Sequence, residues 1–156
     1  MPIDPRVRRA TTDDAAAAAR LMHDFSTSYD EEIDDVEILE RRYREQLQSG
    51  DLFVLIGGSG PDGFAQVRLK GQIYSDALDA YLEELFVYPD KRGQGLGRAL
   101  LEGAMEEARE RGADHIDLGT SEDDTAAIGL YESAGFTNRE GKPDGPVMLY
   151  YERDLD

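Results

Sequence analysis

Residues 82–101 read LEELFVYPDKRGQGLGRALL. The stretch starts as a strand, passes through a loop with Pro89 and glycine at every second position (Gly93, Gly95, Gly97), and becomes a helix with no capping side chain of its own. A strand that enters a helix through glycines aims several backbone N–H groups at one place. Added to the positive end of the helix dipole, these groups make a site for phosphate or pyrophosphate. Glycine suits the position because a side chain would hold the ligand away from the backbone. A glycine-rich turn with no ligand is the plain alternative.

Working outward, the sequence predicts a first strand over Ile3 to Arg9, where Ile3, Pro5 and Val7 alternate with polar neighbours. Thr11-x-x-Asp14 is a capping box for an alanine-rich helix, Ala15 to Phe25, with Ala18, Leu21, Met22 and Phe25 on its apolar face. Ser26 to Asp35 reads as a loop, because Asp30, Glu31, Glu32, Asp34 and Asp35 repel one another and disfavour burial. A second helix follows from Val36 to Gln48, with Gly50 past its end. Leu52 to Ile56 and Phe64 to Leu69 form a hairpin across a glycine-rich turn, and Ala80 to Tyr88 is the third strand of that sheet.

Downstream, Leu96, Leu100, Leu101, Ala104, Met105 and Ala108 share one face of a helix that runs from Leu96 to Arg111 and stops at Gly112. A strand over His115 to Leu118, a helix from Ser121–Asp124 through Ala134, a turn at Gly135-Phe136 and a closing strand over Val147 to Arg153 complete the chain. The order β-α-α-β-β-β-α-β-α-β predicts an α/β (α+β) fold, a mixed sheet with helices on both faces. With 156 residues, no internal repeat and no long linker, residues 1–156 read as a single domain.

Composition narrows the function. The absence of cysteine excludes a disulfide framework, a thiol nucleophile and a Cys-ligated zinc. His23 and His115 show no metal spacing, so no metal is expected. No apolar run approaches the ~20 residues of a membrane span, and the first residues lack the apolar core of a secretory signal, so a cytoplasmic protein is expected. A net charge of −17 argues against a nucleic-acid partner. It suits a cationic small substrate, which a negative field attracts, and equally an acidic surface that serves solubility.

Two familiar phosphate motifs do not fit: GxGxG stands where a dinucleotide fingerprint needs GxGxxG, and the Gly-Lys-Ser/Thr of a P-loop is missing. Arg92-x-x-Gly95-x-Gly97, with Leu85-Phe86-Val87-Tyr88-Pro89 before it and Leu100-Leu101 after it, resembles motif A (Q/R-x-x-G-x-G/A) of the GNAT family of N-acetyltransferases. Asp124-x-x-Ala127-x-x-Leu130-Tyr131 followed by Gly135-Phe136 resembles its motif B, with aspartate at the usual asparagine. The element order is that family's too. The resemblance implies a mostly antiparallel central sheet, acetyl-coenzyme A as cofactor, and direct transfer of an acetyl group to a primary amine of a small cationic acceptor of the polyamine or aminoglycoside type. A homodimer is a common arrangement in the family.

By the same resemblance the cofactor is held by Leu85, Phe86 and Val87, the Val87 N–H taking the oxyanion and the pantetheine arm. The backbone of Arg92, Gly93, Gln94, Gly95, Leu96, Gly97 and Arg98 takes the pyrophosphate, and Asp124 and Ala127 contact the coenzyme A arm. An aspartate accepts but does not donate, and it adds negative charge near an anion, so a helix N-cap is the plainer reading of Asp124. Tyr131, at the edge of a stripe of Ala127, Leu130 and Ala134, reads on its own as a core tyrosine. In its Leu-Tyr-x-x-x-Gly-Phe setting it resembles the tyrosine that faces the cofactor sulfur.

Acetyl transfer to an amine needs a deprotonated nitrogen, a stabilised oxyanion and a proton for the leaving thiolate. An alkylammonium group, with a pKa near ~10.4, is no nucleophile until it loses a proton, which a carboxylate can remove directly or through water. Glu83 and Glu84 are neighbours on a strand and so point to opposite faces unless a bulge re-aims them. Resemblance to the polyamine acetyltransferases makes Glu83 the base, with Glu84, Tyr29, Asp30 and Glu31 holding the acceptor and Tyr131 acting as the acid. Exposed carboxylates at a strand end are the alternative. Two further functions fit the same residues: acetylation of a protein N-terminus or lysine, and a non-catalytic acyl-CoA-binding module, to which Asp124 lends weight.

Overall fold

The central sheet of the computed structural model, which describes residues 2–156, consists of β1 (Val7–Arg9), β2 (Leu52–Gly57), β3 (Gly63–Gly71), β4 (Leu78–Val87) and β5 (Ala113–Asp117), side by side in chain order. β1 to β4 are antiparallel neighbours, and β5 runs parallel to β4. The helices are α1 (Ala15–Ser28), α2 (Val36–Ser49), α3 (Leu96–Glu110) and α4 (Thr125–Ser133).

β2 explains the layering. Its residues are buried on both faces, as expected for a continuous apolar run. Leu52, Val54 and Ile56 join Phe64 and Phe86 in a core with Ala15, Ala18 and Leu21 of α1 and Leu39 and Tyr43 of α2. The opposite face carries α3: a side chain added at Gly57 would strike Leu96 at 2.8 Å and Leu100 at 3.2 Å. The buried Glu107 of α3 ties that helix to the sheet and to itself, pairing with Arg9 of β1 and with Arg111 at 2.8 Å. Among the described residues no helix is long and apolar enough to cross a membrane.

The chain forms two compact units, Met1–Leu118 and Gly119–Asp156. The second holds α4 and an antiparallel bridge between Arg139 and Val147. Asp124 caps α4, its Oδ1 accepting from the Ala127 N–H at 3.2 Å.

Three elements depart most from the sequence expectation. β1 starts at Val7, because Asp4 folds the chain into a turn: its carbonyl accepts from the Val7 N–H and its carboxylate from the Arg6 N–H, both at 2.9 Å. α1 runs on to Ser28, where the hydroxyls of Thr27 and Ser28 donate to carbonyls of the preceding turn. The closing strand over Val147 to Arg153 is not formed. Apart from the bridge at Val147 this segment has no ladder partner, and Tyr151 is 84% exposed. An apolar run gives a segment strand propensity, but only a paired backbone makes it a strand.

Candidate active site

β4 leaves the sheet at Val87, makes a short 3-10 turn over Pro89–Lys91, and reaches α3 through glycines. Gly93 and Gly95 have φ of 81° and 79°, the left-handed region that favours glycine. Gly95 is the N-cap of α3 and offers no side chain to its first N–H groups. Among the described residues no protein acceptor bonds the N–H groups of Gly93, Gln94, Gly95, Leu96 or Gly97. The space outside the loop is open: a Cβ at Gly93 would meet nothing within 4 Å, and one at Gly95 would meet only Arg6, at 3.8 Å. Unclaimed donors, the positive end of a helix dipole and no obstructing side chain together fit a pyrophosphate.

Three arginines surround this loop. Arg92 folds back, its Nε donating to the Val87 carbonyl at 2.9 Å and its guanidinium lying 6.0 Å from the Phe86 ring centre. Arg98, in the first turn of α3, lies 3.5 Å from Glu102. Arg6 was not foreseen. It donates to the Gln94 carbonyl at 2.8 Å while Asp4 braces its other nitrogens. Eighty-eight residues separate Arg6 and Gln94, and no motif marks the pair.

The loop opens from a free strand edge. β5 pairs with β4 only as far as Tyr81↔Asp117, whereas β4 continues to Val87. Successive N–H groups of a strand point to opposite sides. The Tyr88 N–H is given to Asp62 on the β3 side at 2.9 Å, so those of Val87 and Leu85 point to the edge that β5 leaves open. Phe86 faces the other way: its N–H points to β3, and its side chain, 3% exposed, belongs to the core. It supports the edge rather than lining it.

The carboxylates lie on the face that carries α1 and α2. The β3–β4 register slips between Gln66 and Val67: Gln66 pairs with Glu84 and Val67 with Leu82, so Glu83 is the extra residue of a bulge. Glu84 shares the face of Gln66 and Phe86. The bulge turns Glu83 to the same face, where it accepts from Gln66 Nε2 at 3.1 Å and from Arg68 Nε at 3.0 Å. The Tyr43 hydroxyl donates to Gln66 from α2. Burial, then the like charges of Glu83 and Glu31, push the Glu84 carboxyl up to about 7. Burial also raises the Tyr43 hydroxyl.

The α1–α2 connection completes this side. Tyr29 is 59% exposed and meets Phe25 edge-to-face, with ring centres 5.4 Å apart. Phe25 packs at 5.0 Å on Phe86, and Phe86 at 5.2 Å on Tyr88, whose hydroxyl donates to Asp24. Burial and that bond push the Tyr88 hydroxyl up to about 12. An aromatic row therefore runs from the acidic segment to the start of the glycine loop. Asp30 takes a left-handed φ of 55°. Next to it Thr27, Glu31, Glu32, Ile33, Asp34 and Arg42 line an open depression of about 750 Å³.

In the second unit, Tyr131 and Phe136 stack edge-to-face at 5.9 Å, and the Phe136 N–H closes the turn onto the Tyr131 carbonyl at 3.0 Å. The Leu-Tyr…Gly-Phe spacing thus has a local structural basis. Ala127 is half-buried, and its N–H goes to the Asp124 cap.

Residues 17–136 match the acetyltransferase (GNAT) family model. The chain is 37% identical over 106 residues to mycothiol acetyltransferase of Thermobispora bispora, covering 65% of this chain but only 35% of that protein. It is 29% identical over 140 residues to aminoglycoside N(6')-acetyltransferase type 1 of Stenotrophomonas maltophilia, covering 87% of this chain and 88% of that one. A crystal structure from Arthrobacter sp. FB24, assigned to the acetyltransferases without a stated substrate, superposes with a TM-score of 0.89 at 35% identity over 99% of both chains.

Proposed function

Since this chain belongs to the GNAT family of acetyltransferases, we propose that it transfers the acetyl group of acetyl-coenzyme A to a primary amine of a small cationic acceptor. The observation that carries the reading is the free edge of β4, which runs from paired carboxylates at one end to an N–H-lined loop at the other. When bound, acetyl-coenzyme A supplies the thioester carbonyl that the amine attacks. The N–H groups of Gly93 to Gly97 and the dipole of α3 hold its pyrophosphate, with Arg6 bonded to the Gln94 carbonyl and Arg92 to that of Val87. The Val87 N–H holds the carbonyl oxygen where negative charge develops. A carboxylate of the Glu83–Glu84 pair takes the ammonium proton. Tyr131 is the proton donor by its motif alone, and Asp124 serves as a cap.

An acceptor with several amino groups suits the acidic depression and the net charge of −17. The aminoglycoside enzyme among the relatives points the same way. We read both units as parts of one catalytic domain, because the family match runs through them. The test is release of free thiol from acetyl-coenzyme A with polyamines, aminoglycosides, amino acids and peptide amines. Turnover confined to the polycationic small molecules is expected. Label transferred only to proteins of a lysate would redirect the reading to a protein acetyltransferase, and tight coenzyme A binding without any turnover would leave a binding module.

A further inference from the structure

The two carboxylates at the β4 bulge share one face but not one environment. Both oxygens of Glu83 are engaged, by Gln66 at 3.1 Å and Arg68 at 3.0 Å. Gln66 is fixed in turn by Tyr43, so a chain Tyr43–Gln66–Glu83–Arg68 ties α2, β3 and β4 together. Glu84 receives no hydrogen bond from any described residue. Arg68 is committed to Glu83, and the groups that bear on Glu84 are the carboxylates of Glu83 and Glu31. On the same face stands the Tyr43 hydroxyl, held neutral by burial.

The oxygens of Glu83 already accept bonds from an amide and a guanidinium, and an incoming ammonium group would have to compete with them. A half-buried carboxylate that accepts no such bond and faces two like charges is a good proton acceptor. We infer that Glu84, rather than Glu83, takes the proton from the acceptor's ammonium group, directly or through one water, and that Glu83 is a positioning residue which fixes Gln66 and Arg68 beside it. This rests on the acetyl-transfer reading above. In the step, an ammonium N–H bond breaks and its electron pair stays on nitrogen. The proton goes to a Glu84 carboxylate oxygen, and the neutral nitrogen is then free to attack the thioester carbon. Burial and charge place Glu84 at about 7, close to the pH at which a general base works best. The bulge makes the arrangement: without it one of the two neighbours would face α3.

The experiment compares the full chain with Glu84→Gln, Glu84→Asp and Glu83→Gln variants, with spermidine and kanamycin as acceptors, reading kcat from pH 5 to 10. For the parent chain kcat should fall on the acid side with a break near the Glu84 value of about 7. Glu84→Gln should lose ~10²-fold in kcat, and its remaining activity should climb toward the amine's own range near ~10 with no break at neutral pH. Glu84→Asp should recover part of the loss. Glu83→Gln should keep the break while the acceptor KM rises.

A break that survives in Glu84→Gln and vanishes in Glu83→Gln overturns the inference. A second measurement needs no turnover: the side-chain ¹³C signal of Glu84, identified by its absence in Glu84→Gln, should titrate near neutrality. That titration with no turnover on any amine would refute acetyl transfer, and the base role with it, yet leave the carboxylate's environment as described. Titration in the ordinary glutamate range, together with undiminished kcat in Glu84→Gln, would refute the inference while acetyl transfer stands.

Discussion

The glycine loop after β4 and the carboxylate pair within β4 lie on one strand but are built by opposite means. The loop offers backbone N–H groups, and what keeps them open is the absence of side chains at Gly93 and Gly95. The pair works through side chains, and its requirement is a slip in pairing that turns two neighbours to one face. A site made of backbone is harmed most by side chains that fill it and less by the loss of those around it. A site made by register depends on partners on other elements, here Gln66, Arg68 and Tyr43.

The largest effect should come from filling the backbone site. Gly95→Glu puts a carboxylate where a bound pyrophosphate would approach and places a side chain at a φ of 79°, a conformation that costs ~1–2 kcal/mol for an L residue. Calorimetry should show coenzyme A affinity weakened by at least ~10²-fold with an unchanged far-ultraviolet dichroism spectrum. Equal affinity would reduce the loop to a turn. Next in size is Tyr131→Phe, which removes one hydroxyl and leaves the ring packed on Phe136. Loss of a general acid should lower kcat by ~10²-fold with little change in the acetyl-coenzyme A KM. A kcat within about twofold of the parent would return Tyr131 to a packing role.

On the side-chain half, replacing Asp30, Glu31, Asp34 and Asp35 by their amides should raise the acceptor KM by about an order of magnitude at low salt. It should also flatten the dependence on salt, since screening shortens from ~10 Å at 0.1 M to ~3 Å at 1 M. The same KM and salt slope as the parent chain would make the segment a solvated face. Arg6→Ala removes a side-chain bond to the Gln94 carbonyl, and a net hydrogen bond of ~1 kcal/mol predicts an acetyl-coenzyme A KM raised about fivefold with kcat unchanged.

The smallest effect concerns stability. The folded Glu84 carboxyl lies at about 7, above its ordinary 4.5, so the fold prefers it protonated. Stability is full below ~4.5 and falls as pH rises through about 7. Glu84→Gln should therefore melt at the parent temperature at pH 4 and a few degrees higher at pH 8. Partial exposure limits the gain to ~1 kcal/mol, worth ~2–4 °C in a chain of this length.

The same contrast governs how much the sequence reveals. The loop was legible because its glycines, its missing cap and the apolar stripe of α3 are all local signals. The helices were legible for the same reason, except for the last turn of α1, where the hydroxyls of Thr27 and Ser28 donate to carbonyls of the turn before. The bulge is not legible in the same way, because register is a property of two strands and Leu82-Glu83-Glu84-Leu85 looks the same in either pairing. Arg6 was missed because its partner lies across the sheet, and the segment after Pro146 because an apolar run does not say whether a backbone waits to pair with it.

The bulged pair on β4 bears on how a turnover would end. An ammonium group carries a positive charge, whereas the amide it becomes carries none. The carboxylates of Glu31, Glu83 and Glu84 that gather the acceptor would therefore hold the acetylated molecule less tightly, by the one charge it has lost. Glu84, having taken the proton, must also return it to water before the next acceptor is drawn in. The acetylated amine, one charge short of its precursor, should bind more weakly than the acceptor from which it was made.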